Sequence, residues 1–200
     1  MWAGDQEGGE EMIQLITTSK PARWVLSGMV LAGIACAVSA AASTAGAQTA
    51  ATTTPRCKTQ GLSVWLGVGS GGGAAGNIVY PLEFTNVSGH TCQLYGFPGV
   101  SADRAGAQVG SAAGRDHSVP ARTVTLRNRA TAHTLLEIVD VSAFPPASCR
   151  AVTANGLTVY PPGAFTAAPI SFRFRACSAK GPVFLTVRAV RPRVGIPSHG

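Results

Sequence analysis

The sequence predicts an all-β protein, a two-sheet antiparallel β-sandwich with two disulfides that follows a signal peptide. Apolar residues recur with the two-residue period of strands and not with the period of a helix. Clusters of Gly, Pro, Asn and Ser separate these apolar segments. Four cysteines lie beyond an uncharged N-terminal run. Seven or more short strands at this spacing are typical of a sandwich.

The predicted strands follow one another from residue 62 to residue 190. Alternation of side-chain character places them at residues 62–68, 78–86, 123–126, 132–139, 157–160, 170–176 and 183–190. Pro81 in the second strand predicts an edge position or a bulge, because proline donates no ladder hydrogen bond. We expect the third and fourth strands to pair through a turn at residues 127–130. In the last strand Val183, Leu185, Val187 and Ala189 are predicted to face one way, and Phe184, Thr186, Arg188 and Val190 the other.

Turns and one short helix complete the prediction. Turn-forming residues are found at positions 86–89, 97–99, 155–156 and 161–163. No segment has an apolar stripe of helical length, and only residues 140–149 are compatible with a short helix. The chain is therefore predicted to consist of strands joined by turns.

The cysteines predict the covalent framework. Cys57 and Cys92 are equidistant from the Gly-rich stretch at residues 70–76, and Cys149 and Cys177 from the Pro-rich turn at residues 161–169. Because residues equidistant from a hairpin turn lie side by side, the predicted pairs are Cys57–Cys92 and Cys149–Cys177, each closing its own hairpin. No C-x-x-C or H-x-x-x-H pair is present, so we expect no metal site and no cofactor.

The N-terminal region predicts export. Lys20 and Arg23 precede an uncharged run at residues 24–42, and Ala45-Gly46-Ala47 fits a signal-peptidase cleavage site. Residues 1–47 are therefore predicted to be a signal peptide, and the mature chain to be secreted or to lie in the cell envelope. Export also explains the disulfides, which persist in oxidising compartments.

Alternatives and boundaries follow from the same region. The alternative prediction is that an uncleaved signal or a lipid on Cys36 anchors the chain in the membrane. Met12 is the alternative start, because the acidic residues before it fit no signal pattern. Composition then predicts a flexible linker at residues 48–56, the sandwich domain at residues 57–190 and a disordered tail at residues 191–200.

Several blocks of sequence carry a family resemblance. They are GGAAG at residues 72–76, FTN at residues 84–86, SGHTCQLYGFPGV at residues 88–100, and LTV with PPG at residues 157–163. On these blocks, residues 57–190 resemble the actinobacterial secreted domain of unknown function 4232. Where that family has a Pro-Gly turn, this chain has Arg127-Asn128-Arg129. The resemblance implies an immunoglobulin-like sandwich, export and often a lipid or membrane anchor, and it implies no known activity.

No motif predicts catalysis. Residues 67–72 match G-x-G-x-x-G, but a strand follows them where a phosphate site needs a helix, which favours a flexible hairpin tip. The remaining catalytic alternative is a hydrolase site built from Asp116, His117 and a serine. Asn86-Val87-Ser88 matches a glycosylation acceptor, although a turn explains it. Tyr95 and Phe97 are expected to pack over the open end of the sandwich rather than to form a recognition patch.

Charge gives the best functional indication. After residue 47 the chain has 14 basic and five acidic residues, and no acidic residue follows Asp140. Arg173 and Arg175 share one face of their strand. With Arg188 on a neighbouring strand, they are predicted to form an anion-binding stripe, the alternative being an ordinary solvated face.

The predicted function is therefore a non-catalytic binding or scaffold module. Its expected partner is an acidic envelope polymer, a lipid headgroup or an acidic protein. Nucleic acid is not expected, because an exported protein rarely meets it and no stacking aromatics are interleaved with the basic residues. The alternatives are a small-ligand-binding module and a hydrolase with an unrecognised site.

Overall fold

A computed structural model describes residues 53–74 and 76–195 of the 200-residue chain. Across this range the protein is an all-β sandwich, as predicted. None of the helices found there is long and apolar enough to cross a membrane. The predicted signal peptide, Cys36, the alternative start at Met12 and the first residues of the linker lie outside the described residues.

Within the described range, thirteen strands follow in chain order. They are β1 (Leu62–Leu66), β2 (Gly72–Ala74), β3 (Asn77–Asn86), β4 (Cys92–Tyr95), β5 (Gly99–Arg104), β6 (Ala107–Val109), β7 (Gly114–Asp116), β8 (Thr123–Leu126), β9 (Thr131–Val139), β10 (Ala151–Tyr160), β11 (Ala168–Cys177), β12 (Leu185–Arg188) and β13 (Arg191–Pro192). The short helix predicted in residues 140–149 is present as the 3₁₀ turn Val141–Ala143 and the helix α1 (Pro146–Cys149). Two further 3₁₀ turns span Thr59–Gly61 and Val68–Ser70.

The strands form two main sheets and a small third one. The seven-stranded sheet has the order β1-β3-β9-β12-β7, with β2 added on β3 and β13 on β9. The four-stranded sheet has the order β11-β10-β5-β6, and β4 pairs with β8 separately. All strand pairs in the described residues are antiparallel except β7 with β12, so the predicted all-antiparallel pairing is wrong at that one place.

The core lies on the inner faces of these sheets. Alternation along β9 buries Ala132, Thr134, Leu136 and Ile138 and leaves the residues between them half-buried. Phe84 of β3 and Phe184, just before β12, are the largest fully buried side chains. Burial of such a side chain contributes roughly 1.5–3 kcal/mol, which makes this alternation the main source of the fold's stability.

Both predicted disulfides form. Cys149–Cys177 closes the open end of the β10–β11 hairpin, where Ala151 lies opposite Cys177. Cys57–Cys92 has a different geometry from the predicted one. The β1–β3 ladder ends at Leu62 and Asn86, and Cys92 lies beyond it on β4 of the third sheet. This disulfide therefore joins the start of the domain to the third sheet and does not close a hairpin.

One predicted strand pairing is wrong. Strands β8 and β9 follow each other in the chain but do not pair, because β8 pairs with β4 and β9 lies between β3 and β12. The connection turns the chain from one sheet to the other: the Arg129 amide donates to the Asn86 carbonyl, and the Asn86 amide donates to the Ala130 carbonyl. The predicted turn at residues 127–130 is present, since the Ala130 amide donates to the Arg127 carbonyl, but it leads to a strand that pairs with β3 and not with β8.

Pro81 and the Asn155-Gly156 pair also differ from expectation. Pro81 is buried on β3, an interior strand. The Gly67 amide donates to the Pro81 carbonyl. Because the nitrogen and carbonyl of one residue in an antiparallel ladder point to the same side, the proline nitrogen also faces this side, where β1 has ended and a 3₁₀ turn follows. Its missing N–H therefore costs no ladder bond. The predicted turn at Asn155-Gly156 is a register irregularity inside β10.

The strand predicted at residues 183–190 is shorter than expected, and ordered structure continues after it. Leu185, Val187 and Ala189 are buried, but so are Phe184 and Val190 of the opposite predicted face, and Val183 is exposed. The predicted disordered tail begins in ordered structure, since Arg191–Pro192 form β13 on β9. At the N-terminal end of the domain, the Pro55 carbonyl accepts a hydrogen bond from the Gln93 amide.

Candidate anion-binding face and adjoining cavity

Arg173 and Arg175 lie on the outer face of β11, the edge strand of the four-stranded sheet. The strand alternates as predicted, with Ser171, Arg173 and Arg175 exposed and Phe172 and Phe174 half-buried. The two phenylalanine rings stack on each other with centroids 5.4 Å apart and pack against the core. The two phenylalanines therefore anchor the inner face of β11 in the core, and both arginines on its outer face are exposed to solvent.

The neighbouring outer face is nearly free of charge. Strand register places Thr153 beside Arg175 and Gly156 beside Ser171. Asp103 lies opposite Gly156 on the far side of β10, where its Oδ1 would be 3.8 Å from a Cβ on Gly156, and it forms no ion pair with Arg173 or Arg175. Its carboxylate accepts a hydrogen bond of 3.1 Å from the Gly106 amide. No acidic side chain on the described part of this sheet is thus placed to neutralise the arginines.

Arg188 does not join this face. It lies on β12 of the seven-stranded sheet, so the condition for the predicted three-arginine stripe is not met. Its Nε donates to Asp116 Oδ2 at 2.9 Å, and this is the one ion pair found among the described residues. Hydrogen bonds from the Ser118 amide and hydroxyl, together with Arg188, hold the pKa of Asp116 below its ordinary value. Arg188 is therefore already neutralised.

A cavity of about 530 Å³ opens beside Arg175 at the edge of β11. The turn before β3, the end of β9 and the segment after it form its other walls. Its apolar lining consists of Ile78, Ile138, Val139, Val141 and Phe174, and its charged groups are Asp140 and Arg175. Sequence reasoning missed this cavity, because its walls come from three segments that are distant in the chain.

The two charged groups at the cavity differ in their bonding. Asp140 Oδ1 accepts from the Ser142 amide at 2.8 Å, which caps the following 3₁₀ turn. Hydrogen bonds from Ser142 keep the pKa of Asp140 below its ordinary value. Arg175 makes only a long hydrogen bond of 3.5 Å, from Nη2 to the Ala151 carbonyl. Arg175 is therefore the charged group with unused hydrogen-bond donors.

Glu83 is a second residue that sequence reasoning missed. It lies on β3 with no exposed surface, opposite Trp65 of β1 and His133 of β9. Its Oε1 accepts from the Gly195 amide at 2.8 Å, and its Oε2 has no hydrogen-bond partner among the residues that the structure describes. His133 Nδ1 donates to the Arg193 carbonyl, so the segment after β13 covers the carboxylate. Nothing in the sequence around Glu83 predicts this cover.

Burial raises the pKa of Glu83 above its ordinary value of 4.5, against the opposing effects of the Gly195 hydrogen bond and the charge on His133. The folded domain therefore binds this proton more tightly than the unfolded chain does. The resulting stabilisation is complete below pH 4.5 and is lost as pH rises through the folded-state pKa.

We expect Glu83→Gln to gain stability relative to the wild type as pH rises, because the amide cannot ionise and still accepts from Gly195. Urea unfolding at pH values on both sides of 4.5 measures the change. Glu137→Gln, on the same outer face of the sheet, is the matched control. Parallel stability curves for wild type and Glu83→Gln would contradict the assignment.

The two named residues of the hydrolase alternative have other contacts. His117 packs against the Phe97 ring with centroids 4.6 Å apart, while Asp116 binds Ser118 and Arg188. Within the described range no group of three or more His, Cys, Asp or Glu side chains is placed to hold a metal ion. The Gly-rich motif leads into a 3₁₀ turn and β2, without the helix that phosphate binding requires.

Of the two aromatic residues after Cys92 that were expected to pack on the sandwich, one does so. Phe97 is half-buried and packs against the core, with the Arg115 guanidinium 5.9 Å from its centroid. Tyr95 remains 62% exposed. The expectation that both rings cover the end of the sandwich is therefore wrong for Tyr95.

Comparison with known proteins identifies one family. Residues 57–191, from the first disulfide cysteine to the start of β13, match a family described as a domain of unknown function, DUF4232. Searches of curated proteins and of solved structures found no match. Because the family match covers more than half of the chain, the chain belongs to the DUF4232 family of domains of unknown function.

Proposed function

We propose that this domain is an exported, non-catalytic binding module that holds an anionic partner on the outer face of β11. The observation that supports this most directly is the contrast between its arginines. Arg188 is paired with Asp116, whereas no carboxylate among the described residues lies within ion-pair distance of Arg173 or Arg175. Two such guanidinium groups are suited to carboxylates and phosphates.

The setting of these arginines favours an extended partner. Residues two positions apart on a strand are roughly 7 Å apart, so Arg173 and Arg175 can contact successive anionic groups of one chain or one surface. The disulfides are typical of an oxidising compartment. An acidic envelope polymer, a lipid headgroup or an acidic protein is the partner class that fits both the location and the charge.

We expect Arg173→Gln/Arg175→Gln to weaken polyanion binding by about tenfold or more, since each lost charge-assisted hydrogen bond is worth roughly 1.5–3 kcal/mol. Binding of the full exported domain to polyglutamate and to vesicles containing phosphatidylglycerol is measured at about 0.1 M and about 1 M salt, between which the screening length falls from about 10 Å to about 3 Å. Wild-type binding should weaken strongly at the higher salt concentration.

The matched control is Arg127→Gln/Arg129→Gln, which removes the same charge from the exposed turn between β8 and β9. If net charge alone drives binding, both double variants lose affinity equally, and the proposal fails. It also fails if wild-type binding to both probes is absent or insensitive to salt. Aggregation of the Arg173→Gln/Arg175→Gln variant with unchanged polyanion affinity would instead assign the arginines to protecting the β11 edge.

A further inference from the structure

The cavity beside Arg175 points to a specific class of ligand. Its volume of about 530 Å³ lies within the range of roughly 300–1,000 Å³ that small-molecule sites occupy. Its lining is mostly aliphatic, and Ile78 in its wall is 45% exposed. Covering such apolar surface contributes about 25 cal/mol per Å². The cavity is thus suited to an apolar chain.

The charges at the cavity decide which end group that chain carries. Asp140 already uses one carboxylate oxygen to cap the Val141–Ala143 turn, and its charge disfavours an anion beside it. Arg175 has most of its donors unused and lies at the edge of β11, between the cavity and the outer face of the sheet. An anionic end group is therefore stabilised only at the Arg175 end of the cavity.

We propose that this cavity binds a single-chain anionic amphiphile, with the acyl chain against Ile78, Ile138 and Phe174 and the anionic group on Arg175. The inference rests on the proposed anion-binding function of β11 and names the ligand for part of that face. A flexible chain fits an open site walled by branched side chains from several segments, because it adapts its torsions to the lining. Arg173, which does not line the cavity, has no role in this site.

The test compares three ligands that share one chain: dodecanoate, dodecanol and dodecyltrimethylammonium. Titration calorimetry with the exported domain should show dodecanoate binding at least about tenfold more tightly than either of the others, as expected for one charge-assisted contact. Methyl chemical-shift changes at Ile78 and Ile138 should locate it. Preferential binding of dodecyltrimethylammonium would assign the site to Asp140 and overturn the proposal, as would equal binding of dodecanol.

Two variants and one control complete the test. Arg175→Gln should weaken dodecanoate binding by about tenfold and leave dodecanol binding unchanged. Ile78→Asn, at an exposed wall position, should weaken both ligands. Arg173→Gln removes the same charge two residues away on the same strand and should leave dodecanoate binding within about twofold of wild type. An equal loss in Arg173→Gln and Arg175→Gln would overturn the assignment of the anionic group to Arg175.

The outcomes also separate this inference from the proposed function. Salt-sensitive polyglutamate binding without dodecanoate binding would overturn the ligand assignment alone. Dodecanoate binding that depends on Arg175, without binding to polyglutamate or anionic vesicles, would overturn the proposed polyanion face and support the cavity as the functional site.

Discussion

Replacing Cys149 and Cys177 with alanine is expected to lower the free energy of unfolding by about 3–4 kcal/mol. The two residues are 28 positions apart, and loss of the disulfide restores that loop's freedom to the unfolded chain. Both side chains are almost completely buried, so their removal also leaves small cavities in the core. Urea unfolding of the double variant, followed by far-UV circular dichroism, measures the loss.

The other disulfide supplies the comparison. Cys57 and Cys92 are 35 positions apart, so the loop-entropy argument predicts a similar cost of about 3–4 kcal/mol for their double replacement. Reduction of the wild type should give an effect close to the two losses combined. A cost below about 1 kcal/mol for Cys149→Ala/Cys177→Ala would show that the β10–β11 ladder alone restricts the hairpin in the unfolded state.

Asn86→Ala is expected to destabilise the domain by about 3 kcal/mol, through the loss of four hydrogen bonds that each contribute roughly 0.5–1.5 kcal/mol. Asn86 has no exposed surface. Its Nδ2 donates to the carbonyls of His90 and Leu126 at 2.7 and 2.9 Å, and its Oδ1 accepts from the Ser88 amide and hydroxyl. The variant leaves a buried Leu126 carbonyl without its donor, and chemical denaturation measures the loss.

Asn86→Asp distinguishes hydrogen bonding from packing at this position. The aspartate has the same size but places a carboxylate oxygen against two carbonyls, so at neutral pH it should cost at least as much as alanine. Its stability should recover as pH falls and the carboxyl regains a proton to donate. A cost near zero for Asn86→Asp would contradict the network. The same bonds explain why Asn86 acts as a turn residue: both amide hydrogens are used within the fold.

Local signals were sufficient for the longer strands and for the Cys149–Cys177 disulfide, but they missed the short strands β4 to β7. Alternation along residues 170–176 predicted that Arg173 and Arg175 lie on the face opposite Phe172 and Phe174, because a strand's two faces are set by its own sequence. The equidistance of Cys149 and Cys177 from a Pro-rich turn predicted their pairing, since the hairpin between them is local. These predictions needed no knowledge of distant segments.

Pairing between distant strands could not be predicted in the same way. Whether β8 pairs with β9 depends on how strongly each pairs with β4 and β3 instead. The periodicity of a strand shows which residues share a face, but it does not identify the neighbouring strand. Asn155-Gly156 has the sequence of a tight turn, yet it lies inside β10, where a Cβ on Gly156 would approach the Ile170 carbonyl oxygen to 2.9 Å. Glycine is required there for close packing of two strands and not for a turn.

The candidate site was predictable only in part. The shared face of Arg173 and Arg175 follows from strand geometry, but the separation of Arg188 follows from sheet order, which is a property of the whole domain. The cavity and the burial of Glu83 likewise arise where segments far apart in sequence meet. A single charged residue in a strand gives no local sign that a later segment will cover it.

The two disulfide loops are separate along the chain, the first closing at Cys92 and the second opening at Cys149. A single peptide-bond cleavage inside either loop leaves every residue covalently attached to the rest. A single cleavage between residues 93 and 148 instead yields two fragments that only strand pairing and side-chain packing hold together. Under non-reducing conditions, the fragments that survive proteolysis therefore report which stretch of the domain was cut.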